Sequence, residues 1–140
     1  MTLTLDAARA AIRATFEAGA EAGLKPLSAI VLDAGGHVLA FERQDGASPG
    51  RFAIAHGKAY GAVMLGMPGS AQMQRAEDQH YFMTAANGAF GGAVIPVPGG
   101  ILISEAGAVI GALGVTGDTS DNDAAAGMKG LEAAGLTGAA

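Results

Sequence analysis

A chain of 140 residues, half of them hydrophobic and only 15% charged, has the length of one domain and is too apolar for a disordered segment. Its formal net charge of −5 opposes attraction to phosphate backbones, so no nucleic-acid partner is expected. The absence of cysteine excludes disulfides, thiolate metal sites and a cysteine nucleophile.

The low charge content also bears on assembly, because few solvated side chains are left to cover a core. A homo-oligomer is therefore expected. The first sixteen residues contain Asp6, Arg9 and Arg13 and lack the apolar core of a secretory signal, which indicates a cytoplasmic protein. Prolines and glycines interrupt the uncharged residues 85–104, so no membrane helix is expected there.

The amino-terminal half predicts a helix followed by a hairpin. Thr4 is placed to cap a helix whose apolar residues recur at helical spacing until Gly23 ends it. Two short apolar runs within residues 28–43 then flank turn residues 33–36, which is typical of a β-hairpin. Residues 45–50 predict a loop because they are rich in glycine and proline.

The second half begins with a predicted helix over residues 51–65. Ser70 is placed to cap another helix that continues to about residue 85. An edge strand is expected near Val94, and a second hairpin is expected from strands at 101–104 and 109–116. A closing helix begins near Ser120 or Asp121 and fades into a tail rich in glycine and alanine.

Hairpins separated in sequence from helices predict an antiparallel sheet in an α+β layer structure. Four segments also resemble, in the same order, the GlcG/HbpS family, which is found as well as the C-terminal domain of PduO-type corrinoid adenosyltransferases. They are residues 31–37 (VLDAGGH), 54–59 (IAHGKA), 96–100 (PVPGG) and 111–118 (GALGVTGD). The resemblance runs from Leu3 to about Gly135 and so covers nearly the whole chain.

This resemblance implies a profilin-like single domain over residues 1–140, with a five-stranded antiparallel sheet packed between helices and assembly into oligomers. Some members of the family bind or degrade haem, so it also implies a haem or related tetrapyrrole ligand. Others lie beside catabolic enzymes and have no assigned chemistry. Some haem-binding relatives place a histidine in the first helix, where this sequence has none.

Helix 51–65 is expected to be apolar on two sides. A helical wheel places one group (Ile54, Lys58, Gly61, Ala62, Leu65) opposite another (Phe52, His56, Ala59, Tyr60, Val63). One side would cover the sheet and the other would meet a partner, for which another subunit is the simplest candidate. Gly57 and Gly61 indicate close backbone approach, for tight packing or for contact with a ligand.

Three polar residues of this helix are candidates for ligand contact. Lys58 lies in an apolar stripe and needs a partner, which is either a structural acid or an anionic ligand. His56, with Tyr60 beside it, is either a structural histidine or a group that ligates haem iron or moves a proton. His37 is a weaker candidate because it lies at a hairpin turn and is expected to be exposed. His80, on a helix among Gln79, Tyr81 and Phe82, is also a weaker candidate.

Two further segments have alternative interpretations. The amides of Gly99 and Gly100 either bind an anion or only turn the chain into a strand. The acidic residues Asp118, Asp121 and Asp123 are candidates for holding a hard cation. Alternatively, Ser120 or Asp121 caps the closing helix and Asp123 favours its N-terminal dipole. The family pattern keeps an acidic residue here, which could pair with Lys58.

The leading hypothesis is an oligomeric small-molecule-binding protein, with haem or a related tetrapyrrole as the expected ligand. The predicted ligand-binding residues are His56, Lys58, Tyr60, Gly99, Gly100 and Asp123, and no metal site is predicted. The alternative is a small enzyme or catabolic accessory protein that acts on an anionic metabolite, with Lys58 and His56 as acid/base groups. A purely structural assembly partner is a third hypothesis.

Overall fold

A computed structural model describes residues 2–140 of the chain. Five helices and five strands alternate in groups along the described residues. Their order is α1 (Leu5–Glu21), β1 (Ser28–Asp33), β2 (Val38–Arg43), α2 (Arg51–Leu65), α3 (Gly69–Asp78), α4 (His80–Ala89), β3 (Gly100–Glu105), β4 (Ala108–Thr116), α5 (Ser120–Ala133) and β5 (Thr137–Ala139).

All five strands form one antiparallel sheet in the order β2-β1-β4-β3-β5. The two predicted hairpins are adjacent strand pairs of this sheet, and strand β1 joins them by pairing Ser28 with Thr116 and Asp33 with Gly111. The predicted α+β architecture, with a five-stranded antiparallel sheet between helices, is therefore confirmed.

Alternate residues of the strands face two separate cores. On one face, Ala29 and Val31 of β1 pack in the cluster that includes Ile12 of α1 and Leu131 of α5. On the other, Ile30 and Leu32 pack against the small side chains of α2. Helix α2 and strand β4 approach each other closely here, because a Cβ added at Gly114 would collide with the carbonyl oxygen of Ala55. Helix α2 is therefore held firmly against the centre of the sheet.

The edge strand expected near Val94 is wrong. Residues around Val94 form an irregular segment. The backbone N–H of Val94 donates to the side chain of Asn87 at 2.9 Å, and the backbone N–H of Ile95 donates to the carbonyl of Gly57 at 3.1 Å. Because these two N–H groups bond to residues of helices, they cannot pair with a neighbouring strand. The edge position belongs instead to β5, which pairs Gly138 with Ile103.

The predicted helix over residues 70–85 forms two helices, because Gln79 leaves helical geometry with φ −142° and ψ 61° between α3 and α4. The expected cap at Ser70 is also wrong, since α3 begins at Gly69 after Pro68. The cap expected of Ser120 or Asp121 belongs to Thr119, whose hydroxyl accepts from the N–H of Asn122 at 3.2 Å. The predicted cap at Thr4 is confirmed.

Candidate functional site

The outer side of α2 carries a continuous row of aromatic rings. Phe52, His56 and Tyr60 follow one another at intervals of four residues, so they stack along one helix face. Their ring centroids lie 6.0 Å and 5.2 Å apart with the planes nearly parallel. Phe41 of strand β2 closes one end edge-on at 4.9 Å, and Phe90 closes the other at 6.2 Å. We call these five residues the aromatic row.

His56 is the polar member of the aromatic row. Its imidazole is half-buried and lies between two aromatic rings. Within residues 2–140 it has no hydrogen-bond partner, whereas His37 lies 3.2 Å from the carboxylate of Asp33. A neutral imidazole with an unused ring nitrogen retains the lone pair that a transition metal or a proton donor requires.

Lys58 lies on the inner side of the same helix and is 2% exposed. Its ammonium donates to the carbonyl oxygen of Val115 at 3.0 Å and to Oδ2 of Asp123 at 3.2 Å. Asp123 is 1% exposed, and its second oxygen accepts from the N–H of Asp118 at 2.9 Å. The pair therefore links α2 on one face of the sheet to α5 on the other, around the end of β4.

The electrostatics of Lys58 are those of a charge taken out of water. Burial lowers the pKa of Lys58, Asp123 opposes that change, and the charge of Arg51 on the same helix adds to the lowering. A buried charge is tolerated where it is paired and hydrogen-bonded. The partner that the sequence required for Lys58 is therefore the carboxylate of Asp123.

Gly99 and Gly100 pack directly over Lys58. Gly99 has φ +114°, and a Cβ added there would lie 2.8 Å from the ammonium nitrogen of Lys58. A Cβ at Gly100 would collide with the carbonyl oxygen of Lys58. Gly100 pairs with Gly114 at the start of β3. These glycines thus turn the chain into a strand and admit the backbone of α2, while their role in anion binding stays a prediction.

The two glycines inside α2 also allow close packing. A Cβ at Gly57 would lie 2.5 Å from the carbonyl oxygen of Ala93, and one at Gly61 would lie 2.6 Å from the side chain of Gln72. Part of the outer side of α2 is therefore covered by the chain itself. The aromatic row remains partly accessible, with Phe52 45% exposed.

The acidic turn before α5 forms a hydrogen-bonded network. The carboxylate of Asp118 accepts from the side chain of Asn122 at 2.8 Å and from the N–H groups of Lys25 and Thr119 at 3.0 Å and 2.8 Å. These bonds, that of Asn122 above all, lower the pKa of Asp118 to about 2. Asp123 faces Lys58. Across residues 2–140, no three acidic or histidine side chains cluster as a metal site would require.

The predicted site residues therefore occupy two places. His56 and Tyr60 belong to the aromatic row, while Lys58, Gly99, Gly100 and Asp123 form a buried cluster. His56 and Lys58 are two positions apart, about 200° around the helix, so they lie on different sides of it. The pairing of these two residues in acid/base chemistry stays a prediction.

Sequence reasoning missed Phe41 and Phe90, which come from other elements. The spacing of four residues predicts a row along α2, but no periodicity connects a helix to a strand and a distant helix end. The sequence also predicts Arg51 only as the first residue of a helix. Its guanidinium donates to the hydroxyls of Ser48 and Thr116 at 3.1 Å and 2.8 Å.

Comparison with known proteins places this geometry in a family. The family model described as "Haem degrading protein HbpS-like" matches residues 3–132. The chain belongs to the HbpS-like family. The resemblance stated from the four sequence segments is thereby confirmed, and the family association with haem holds at that level.

Solved structures agree with this assignment. A double mutant of Streptomyces reticuli HbpS shares 30% identity with this HbpS-like chain over 93% of it and 85% of the other chain, with a TM-score of 0.79. The Klebsiella pneumoniae protein ORFY shares 24% identity over 96% and 92%, and the complex of PduOC with haem shares 20% over 98% of each chain, both with TM-scores of 0.87. These last two show the fold alone.

Among proteins with curated functions, none matches the sequence of the HbpS-like chain significantly. Within residues 2–140, none of the helices combines the length and the apolar character needed to cross a membrane.

Proposed function

We propose that this HbpS-like protein binds haem or a related tetrapyrrole on the aromatic row, with His56 as the iron ligand. The observation that carries the proposal is the imidazole of His56, which lies between Phe52 and Tyr60 with no hydrogen-bond partner in the described chain. Imidazole nitrogen is a common axial ligand of haem iron. Phenyl and phenol rings around it provide the apolar surroundings that a macrocycle prefers.

A cavity elsewhere on the subunit fits haem less well. It has a volume of about 560 Å³ and lies between α1 and the end of β2. Its lining includes Phe16, Lys25, Glu42 and Arg43, and it contains no histidine, methionine, cysteine or tyrosine. Iron would find none of its usual protein ligands there. His56 therefore has the better donor chemistry.

A homo-oligomer forms part of the proposal. The aromatic row is a surface, and His56 lines none of five cavities found along residues 2–140. Small-molecule sites bury most of their ligand, so a planar ligand on this row requires a second wall. A second copy of the chain would supply it, and the low charge content favours such association.

Titration of the purified protein with haemin tests the ligand assignment. The wild type is expected to give a saturable Soret band, and His56→Ala is expected to lose or shift it because the iron loses its axial nitrogen. His80→Ala is the matched control, since His80 is an exposed histidine on α4. Circular dichroism establishes that the variants are folded.

Two results contradict this proposal. One is a wild type that gives no saturable Soret change at micromolar haemin. The other is a folded His56→Ala variant whose spectrum matches the wild type at every haemin concentration.

A further inference from the structure

A cavity of about 220 Å³ opens beside the first turn of α2, where three connecting segments meet. It is lined by Lys25 and Pro26 before β1, by Ala47, Ser48 and Arg51 around the start of α2, and by Gly117 after β4. We call it the Arg51 cavity. By the volume that one water occupies in the liquid, roughly 30 Å³, it has room for a small anion with several waters.

Arg51 has hydrogen-bonding capacity to spare. Its Nε donates to the hydroxyl of Ser48 and its Nη1 to that of Thr116. A guanidinium carries five N–H donors, so three are left by these two bonds. Both partners are neutral hydroxyls, and a guanidinium binds carboxylate or phosphate far better because its fork matches two oxygens.

No carboxylate of the described residues forms an ion pair with either basic group of the cavity. Among residues 2–140, no carboxylate lies within 4.0 Å of the side-chain nitrogens of Arg51 or Lys25. The charge of Lys25 helps to lower the pKa of Asp118, but the oxygens of Asp118 already accept from three N–H groups. Asp45 is exposed and lines the larger neighbouring cavity. Arg51 and the exposed Lys25 thus line one space in a chain of net negative charge.

The hydroxyl of Ser28 lies on the sheet face that Arg51 contacts through Thr116. Ser28 is fully buried, and its Oγ has no hydrogen-bond partner. It pairs directly with Thr116, so both side chains project to one face with Cβ atoms about 5 Å apart. Arg51 contacts that same threonine. Buried polar groups without partners are uncommon. Ser28 does not itself line the Arg51 cavity, but it lies beside the threonine that Arg51 contacts.

We infer that the Arg51 cavity is a binding site for a small oxyanion, namely a phosphate or carboxylate group. Arg51 supplies paired N–H donors and Lys25 supplies a second charge. This site differs from the one proposed for haem, because it lies at the start of α2 and shares no residue with the aromatic row.

Isothermal titration with inorganic phosphate tests the inference, at low ionic strength where exposed charges are least screened. The wild type is expected to bind saturably at millimolar concentration. Arg51→Gln is expected to weaken binding by about tenfold or more, as loss of one charged hydrogen-bonding partner implies. Lys25→Gln should weaken it by a smaller factor. A parallel titration with acetate shows whether a carboxylate serves as well as a phosphate.

Three further variants sharpen the test. Ser48→Asp places a carboxylate beside the guanidinium and is expected to abolish binding by occupying Arg51. If Arg51→Gln fails to fold, Ser48→Asp and Lys25→Gln decide. Arg13→Gln removes an exposed arginine of α1 and should bind like the wild type, as should His56→Ala.

The inference is overturned if neither phosphate nor acetate gives a saturable heat, or if matched sodium chloride reproduces it. Folded Lys25→Gln and Ser48→Asp variants that bind as tightly as the wild type also overturn it. Because His56→Ala leaves the Arg51 cavity intact, failure of the haem proposal and failure of this one are distinguishable.

Discussion

Lys58 and Asp123 are oppositely charged residues inside a small protein, and removal of one leaves the other unpaired. Lys58→Met is expected to lower the free energy of unfolding by about 3–5 kcal/mol, the usual cost of an orphaned buried charge. The double variant Lys58→Met with Asp123→Asn removes both charges and keeps an acceptor for the N–H of Asp118. It should lose less than the sum of the single changes. Urea denaturation of Lys58→Met, Asp123→Asn and the double variant measures the three losses, and additive losses would contradict a coupled pair.

Asp118 gives a prediction about acid. Its pKa is lowered from 3.8 to about 2, first by the side chain of Asn122 and then by the N–H groups of Lys25 and Thr119. A lowered carboxyl pKa stabilises the folded state above pH 3.8, and this contribution is lost as the pH falls through about 2. Asn122→Ala should therefore raise the pKa of Asp118 towards 3.8, measured by carbon NMR of its carboxyl group.

The control for this measurement is Ser120→Ala, which leaves the three donors to Asp118 in place. Its titration should follow that of the wild type. A pKa of Asp118 that stays near 2 in Asn122→Ala would show that the two backbone donors are sufficient.

Helix α2 depends on glycine for its close packing against the sheet and against residues 93–97. Gly57→Ala gains about 1 kcal/mol of helix propensity, but its Cβ would lie 2.5 Å from the backbone oxygen of Ala93. Overpacking against backbone costs about 1–3 kcal/mol, so a net loss of stability is expected. Gly88→Ala is the control, because a Cβ there meets nothing within 4 Å. Thermal melts should move in opposite directions, and a stabilised Gly57→Ala would contradict the close packing.

The elements that the sequence predicts well are those whose patterns are local. The cap at Thr4, the two hairpins and helix α2 all follow from adjacent residues. The segment at Val94 looks like a strand, but its backbone donors bind Asn87 and Gly57. Strand β5 is the converse case, since a tail of glycine and alanine pairs only because β3 offers it an edge. Tertiary partners decide both outcomes.

The same distinction applies to the candidate site. A lysine in an apolar stripe indicates that a partner exists, and the acidic turn offers three candidates, but only the fold selects Asp123. The spacing of Phe52, His56 and Tyr60 predicts their shared face. The helical wheel already separates His56 and Tyr60 from Lys58. Which of the two sides meets the sheet is not predictable from an apolar helix with two similar sides.

At the scale of the whole molecule, the proposed assembly uses the aromatic row. Phe52 is 45% exposed and lies against Phe41. If copies meet here, a charge at this position is taken out of water on association, which costs several kcal/mol without a partner. Phe52→Asp is therefore expected to shift the assembly to smaller species, measured by light scattering coupled to size-exclusion chromatography at micromolar concentration.

Leu5→Asp is the matched control, because Leu5 is 48% exposed and lies on α1, across the sheet from α2. This variant should retain the mass of the wild type. A wild-type monomer, or a Phe52→Asp variant of unchanged mass, would contradict assembly through the aromatic row. If a second copy forms the other wall of the ligand site, as proposed, Phe52→Asp should weaken haemin binding together with assembly. His56→Ala should lose or shift the Soret band and leave the mass unchanged.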